Sequence, residues 1–196
     1  MSLLELIAAA DGRSLAVSAV ACLDRCLPQP ADGAEPDPLR PLRAVRADGR
    51  EWDVRLGAAR AAMAEREPAD DVAEQVRKAL AAAPGDFSAD PLREWADACS
   101  LLALEVHRRF DTPGGAPGAD GADGTDPLRR CRAGDPDGSG PLVTGELRRQ
   151  IQILEILTEA AGTAGDGAAL RRAVDLSTEG RRVLRAVMSR QARGRG

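Results

Sequence analysis

The sequence predicts an all-α protein, an irregular bundle of about six to seven helices with a flexible Gly/Ala/Asp-rich insertion. Three observations lead there. Apolar residues recur every three to four positions along most of the chain, the spacing of one helix face. Alanine, the strongest helix former, is abundant. Aromatic residues make up only 2%, namely Trp52, Trp95, Phe87 and Phe110, with no tyrosine. The core must therefore be aliphatic, and alanine-rich faces let helices approach closely. A chain of 196 residues with 43% hydrophobic content fits one domain.

The elements follow in order. Ser2 and Glu5 have the spacing of a capping box at the start of "SLLELIAAA". Asp11-Gly12 interrupts that helix. "RSLAVSAVACLDRCL" then continues with apolar residues on nearly every side, as a central buried helix requires. Pro28 and Pro30 end it, and the stretch from Gln29 to Asp37 is a polar loop. The tetrapeptide Asp-Pro-Leu-Arg begins at Asp37, Asp90 and Asp126. It reads as three helix starts: Asp as N-cap, Pro at the first helical position, then an inward Leu.

Asp48-Gly49 permits either a hairpin pairing Val45 with Trp52 or two successive helices. The stripe Trp52, Leu56, Ala59, Met63 favours helices. A further helix is expected from Pro68 to Ala83 and closes at Pro84-Gly85. The next, from Pro91 to Phe110, carries Leu92, Trp95, Cys99, Leu102, Val106 and Phe110 on one face.

"DTPGGAPGADGADGT", from Asp111 to Thr125, is low in complexity and cannot bury enough to order itself. The predicted organisation is an N-terminal helical region over 1–110, a linker over 111–134, C-terminal helices over 135–191 packing on the same core, and a disordered tail over 192–196. Leu147, Ile151, Leu154 and Leu157 mark one C-terminal helix, which Ile153 and Ile156 make more apolar than a single inward stripe needs. Residues from Ala168 to Gln191 form one long helix or two broken near Ser177.

A net charge of −4 argues against general nucleic-acid affinity, which depends on clustered positive charge. No apolar stretch reaches the ~20 residues of a membrane span. "SLAVSAVAC", from Ser14 to Cys22, resembles a lipoprotein signal ending at a cysteine, but Glu5 and Asp11 stand where positive charge belongs and the apolar run is short. The expected compartment is the cytoplasm, with Cys22, Cys26, Cys99 and Cys131 as reduced thiols.

The segment "GDPDGSGPLVTGEL" is the most chemical-looking stretch. Read as a twelve-residue loop from Asp135, it resembles an EF-hand loop, with Asp135, Asp137, Ser139 and Glu146 as calcium ligands and Gly140 at the sharp turn. On the incoming side, Pro127 to Ala133 offers at most about two turns, too few for a helix stable alone. The alternative is a polar connector that caps the next helix.

Cys22 and Cys26 are four apart on a helix, a poor zinc spacing; they read as small buried apolar residues, with a redox pair as the alternative. His107 is the only histidine, and no nucleophile elbow, Walker loop or dinucleotide fingerprint is present. An unfamiliar enzyme would have to rely on carboxylates such as Glu94, Asp97 or Glu105. "LRRAVDLSTEGRRVLRAV" resembles a helix-turn-helix, but Arg171 and Arg181 occupy positions that need small or apolar residues. The run Arg181, Arg182, Arg185 and Arg190 is an interaction candidate for nucleic acid or an acidic partner.

These features predict a non-enzymatic interaction or accessory protein acting through helix faces, by binding a protein partner or by self-association as a homodimer. A calcium-binding protein and an acidic-partner binder are the alternatives.

Overall fold

The computed structural model describes residues 1–27, 37–44, 49–68, 70–111, 126–135 and 137–193. It is all-helical, 78% helix, with no strand among the described residues. The helices are α1 (Leu3–Ala9), α2 (Gly12–Cys26), α3 (Trp52–Ala64), α4 (Asp71–Ala81), α5 (Ala89–Asp111), α6 (Pro127–Arg132), α7 (Pro141–Ala160) and α8 (Asp166–Arg193), with a 3-10 helix at Arg40–Ala44.

The hub is α2. Every residue from Ser14 to Cys26 is buried, and α5, α7, α8 and α4 all pack around it. Its all-round apolar sequence demands this position, since a helix without a polar face has nowhere else to go. Asp11 caps it, accepting from the Ser14 amide at 2.7 Å. The expected capping box of α1 forms, with Ser2 and Glu5 each accepting from the other's amide. Three of the four aromatic residues cluster, Trp52 lying 5.5 Å from Phe87 and 5.9 Å from Trp95 between ring centroids. The two indole N–H groups donate to the Pro84 and Ala79 carbonyls. Arg60 donates to the carbonyls of Leu80, Ala81 and Ala83, satisfying the end of α4 from outside that helix.

The three Asp-Pro-Leu-Arg sites diverge. Asp126 is a true N-cap with Pro127 in the first turn of α6, and Asp126 accepts from the Leu128 amide. Asp37 makes the same bond to the Leu39 amide but leads only into the 3-10 helix. Asp90 lies inside α5, which begins one residue earlier, and pairs with Arg93 instead. Helix α4 likewise starts at Asp71 rather than Pro68, because Asp70 caps it.

Of the stretch read as linker over 111–134, residues 112–125 lie outside the described residues, as do Val45 and Asp48 of the hairpin alternative. Its two ends belong to the fold. Leu128 and Cys131 of α6 are buried, and tertiary burial supports a helix too short to form alone. Asp111 ends α5 and accepts from the Leu142 and Val143 amides at 2.7 and 2.9 Å, so it caps α7. A Cβ at Gly140 would collide with that carboxylate. The C-terminal segment is one unbroken helix, with Ser177 buried rather than at a break.

Candidate functional site

The chain's most distinctive chemistry is an ionic network inside its aliphatic core. Arg25 sits on α2 among buried apolar neighbours, and its guanidinium donates from Nε to both Glu146 oxygens at 3.0 and 2.8 Å and from Nη2 to Oε1 at 2.6 Å. Both side chains have no exposed surface. Gln150, one turn further along α7, donates to Glu146 Oε1 at 2.8 Å and accepts from the Ser100 hydroxyl at 2.6 Å. The Arg25 Nη2 also lies 3.5 Å from Cys22 Sγ. Each member is placed by helix periodicity: Glu146 and Gln150 share the inward stripe of α7 with Val143, Leu147 and Leu154.

His107 completes the group from α5. A carbonyl can only accept, so its Nδ1 carries the proton that bonds Ala103 O at 2.7 Å. Its Nε2 faces Glu146 Oε2 at 3.6 Å, too long for a hydrogen bond, and has no other partner among the described residues. Burial alone pushes the Glu146 carboxyl up, yet Arg25, then His107, and hydrogen bonds from Arg25 and Gln150 hold it below its ordinary range. Burial likewise acts to lower Arg25, and the facing carboxylate more than offsets it, so the guanidinium is held more firmly charged.

The four residues read as a calcium loop are thereby separated. Glu146 faces the core, while Asp135 accepts from Arg130 at 2.7 Å and from the Asp137 amide at 3.2 Å in an exposed turn. The Arg130 bond, with that of the Asp137 amide, holds the Asp135 carboxyl below its usual range. The turn leads into α7 at Gly140 without a side-chain cap of its own, and Asp111 of α5 accepts from the first amides of that helix instead. Calcium would have to draw Glu146 away from a buried guanidinium to use it as a ligand. Among the described residues, no group of three or more His, Cys, Asp or Glu side chains is arranged to hold a metal ion.

The four cysteines are buried and free. Burial pushes the Cys22 thiol up to about 12 and raises Cys26 and Cys99 as well. Such thiols are poor nucleophiles at neutral pH. Of the carboxylates considered for catalysis, Asp97 pairs with the buried Arg132 and Glu94 is exposed.

No protein-family model, curated protein sequence or solved structure matches this chain.

A second polar cluster ties the C-terminal helix to the hub. Asp24, buried on α2, accepts from Arg43, from Arg181 at 3.0 Å and from the Ser177 hydroxyl at 2.9 Å. Arg181 is thus partly buried and spent within the fold. The other candidates, Arg182, Arg185 and Arg190, are exposed. The surplus isoleucines of α7 serve the core: Ile153 is buried and Ile156 half-buried. Sequence reasoning missed the outward face of α3. Val54, Gly57, Ala58 and Ala61 all lie exposed at helical spacing there, and Val54 keeps 72% of its surface in solvent.

Proposed function

We propose that this chain is a non-enzymatic interaction or accessory protein that works through helix faces and pairs with a second copy of itself across α3. The observation that carries the reading is Gly57. It stands mid-helix on the exposed face of α3, where glycine is about 1 kcal/mol less favourable than alanine. A side chain added there would meet nothing within 4 Å among the described residues, so no contact with them requires the glycine. A glycine flanked by Val54, Ala58 and Ala61 suits the close approach of another helix. Antiparallel pairing about a two-fold axis would present the same patch from both copies and set the two helix dipoles in opposition.

Sedimentation of the full chain and of Val54→Arg and Gly57→Glu tests this. The wild type should be dimeric, and both variants monomeric with unchanged helicity, since both positions face solvent. A wild type that stays monomeric at high concentration refutes it.

A further inference from the structure

We infer that the outer face of α8 from Arg182 to Arg193 is a docking surface for an acidic protein segment. The chain has a net charge of −4, yet beyond Gly180 it contains six arginines and no carboxylate. Gly180 and Leu184 turn inward, while Arg182, Arg185, Arg190 and Arg193 are all exposed. They span about 16 Å of helix. None of the four is hydrogen-bonded or ion-paired to another described residue. Arg181, beside them, is held by Asp24, and Arg77, Arg93 and Arg130 each have a carboxylate partner.

Favourable interaction with the helix dipole is confined to the last turn. It covers Arg190 and Arg193 but not Arg182 and Arg185, which lie two or more turns from the end. Neighbouring like charges three apart repel; Glu179, three residues before Arg182, is the nearest carboxylate on this helix, and none stands within a turn of Arg185, Arg190 or Arg193 along it. A partner that brings carboxylates would offset that repulsion. Val183, 37% exposed, and Ala186 lie among the arginines, so the face also offers apolar contact. That mixture fits a protein segment carrying acidic and aliphatic side chains. It fits nucleic acid less well, since the face has no aromatic residue for base stacking and the chain as a whole is negative.

The test uses the full chain and fluorescence anisotropy with two labelled probes, a Glu/Leu peptide and a single-stranded DNA of equal charge, at low salt. The triple variant Arg182→Gln/Arg185→Gln/Arg190→Gln should bind the peptide about tenfold more weakly or worse. A control with the same charge change, Arg77→Gln/Lys78→Gln/Arg93→Gln, should bind as the wild type does. Absent peptide binding, an equal loss in the control, or DNA binding as tight as peptide binding would each overturn the assignment. The α3 pairing uses none of these arginines, so a monomer that still binds the peptide refutes the pairing alone.

Discussion

Replacing Glu146 with leucine removes the carboxylate that receives three hydrogen bonds from a fully buried guanidinium. Arg25 cannot shed its proton, so the variant must either bury an unpaired charge or open the core to water. Breaking a buried pair this way costs about 3–5 kcal/mol. For a chain of this size that corresponds to a melting temperature lower by about 6–20 °C. Replacing both partners, Arg25→Met with Glu146→Leu, removes the charge along with its partner. Apolar substitutes of similar volume are often neutral or stabilising, so the double variant should recover most of the loss. It lacks only what Gln150 forfeits, about 1 kcal/mol for one acceptor.

The pH dependence has a definite sign. Glu146 has a lowered folded-state pKa, so the stability it contributes is present above the ordinary value of 4.5 and drains away as pH falls through the folded value below it. The double variant should therefore lose less stability on acidification than the wild type. Denaturant titration of the three proteins, at neutral pH and below 4.5, measures all of this. If the Glu146→Leu single variant matches the wild type, or the double falls further than the single, the buried pair does not exist as described.

Three further outcomes follow from the same geometry. Gly180→Ala should destabilise by about 1–3 kcal/mol despite alanine's better helix propensity, because its Cβ would lie 2.6 Å from Arg25 Cδ and 2.9 Å from Arg149 Cδ; denaturation reads it, and a gain in stability would show α8 to be free of α2. With Cys22 up near 12 and all four thiols buried, a disulfide reagent at pH about 8 should label all four only on unfolding, whereas rapid labelling of Cys22 or Cys26 in the native protein would restore the redox reading. Millimolar calcium should leave the melting temperature unchanged, and a rise abolished by Asp135→Asn would show that the loop recruits an ion after all.

The helices were legible because periodicity is local. The stripe Trp52, Leu56, Ala59, Met63 and the all-round apolar surface of α2 need no knowledge of distant residues. The ionic network was not legible, though two signals were present. Arg25 stands in a helix that the pattern says is buried, and a buried charge demands a partner. Glu146 falls on the inward arc that Val143, Leu147 and Gln150 share. Neither signal names the other residue, since no local rule joins positions 121 apart. The carboxylates of the Asp135 turn are nearer to Glu146 along the chain, so spacing alone groups Glu146 with them rather than with Arg25. The α3 face was missed for a related reason: attention to a stripe of large residues passes over the small ones opposite.

The distance along the chain between Arg25 and Glu146 has a consequence during synthesis. At ribosomal rates of about 5–20 residues per second, roughly 6–24 seconds separate the appearance of the two residues. For that interval the hub helix has its cation and its apolar flanks without the elements that later enclose them. The nascent chain is therefore most open to chaperones, and to sticking to itself, before α7 leaves the ribosome. A truncation that stops short of α7 should yield an aggregating fragment rather than a smaller folded one.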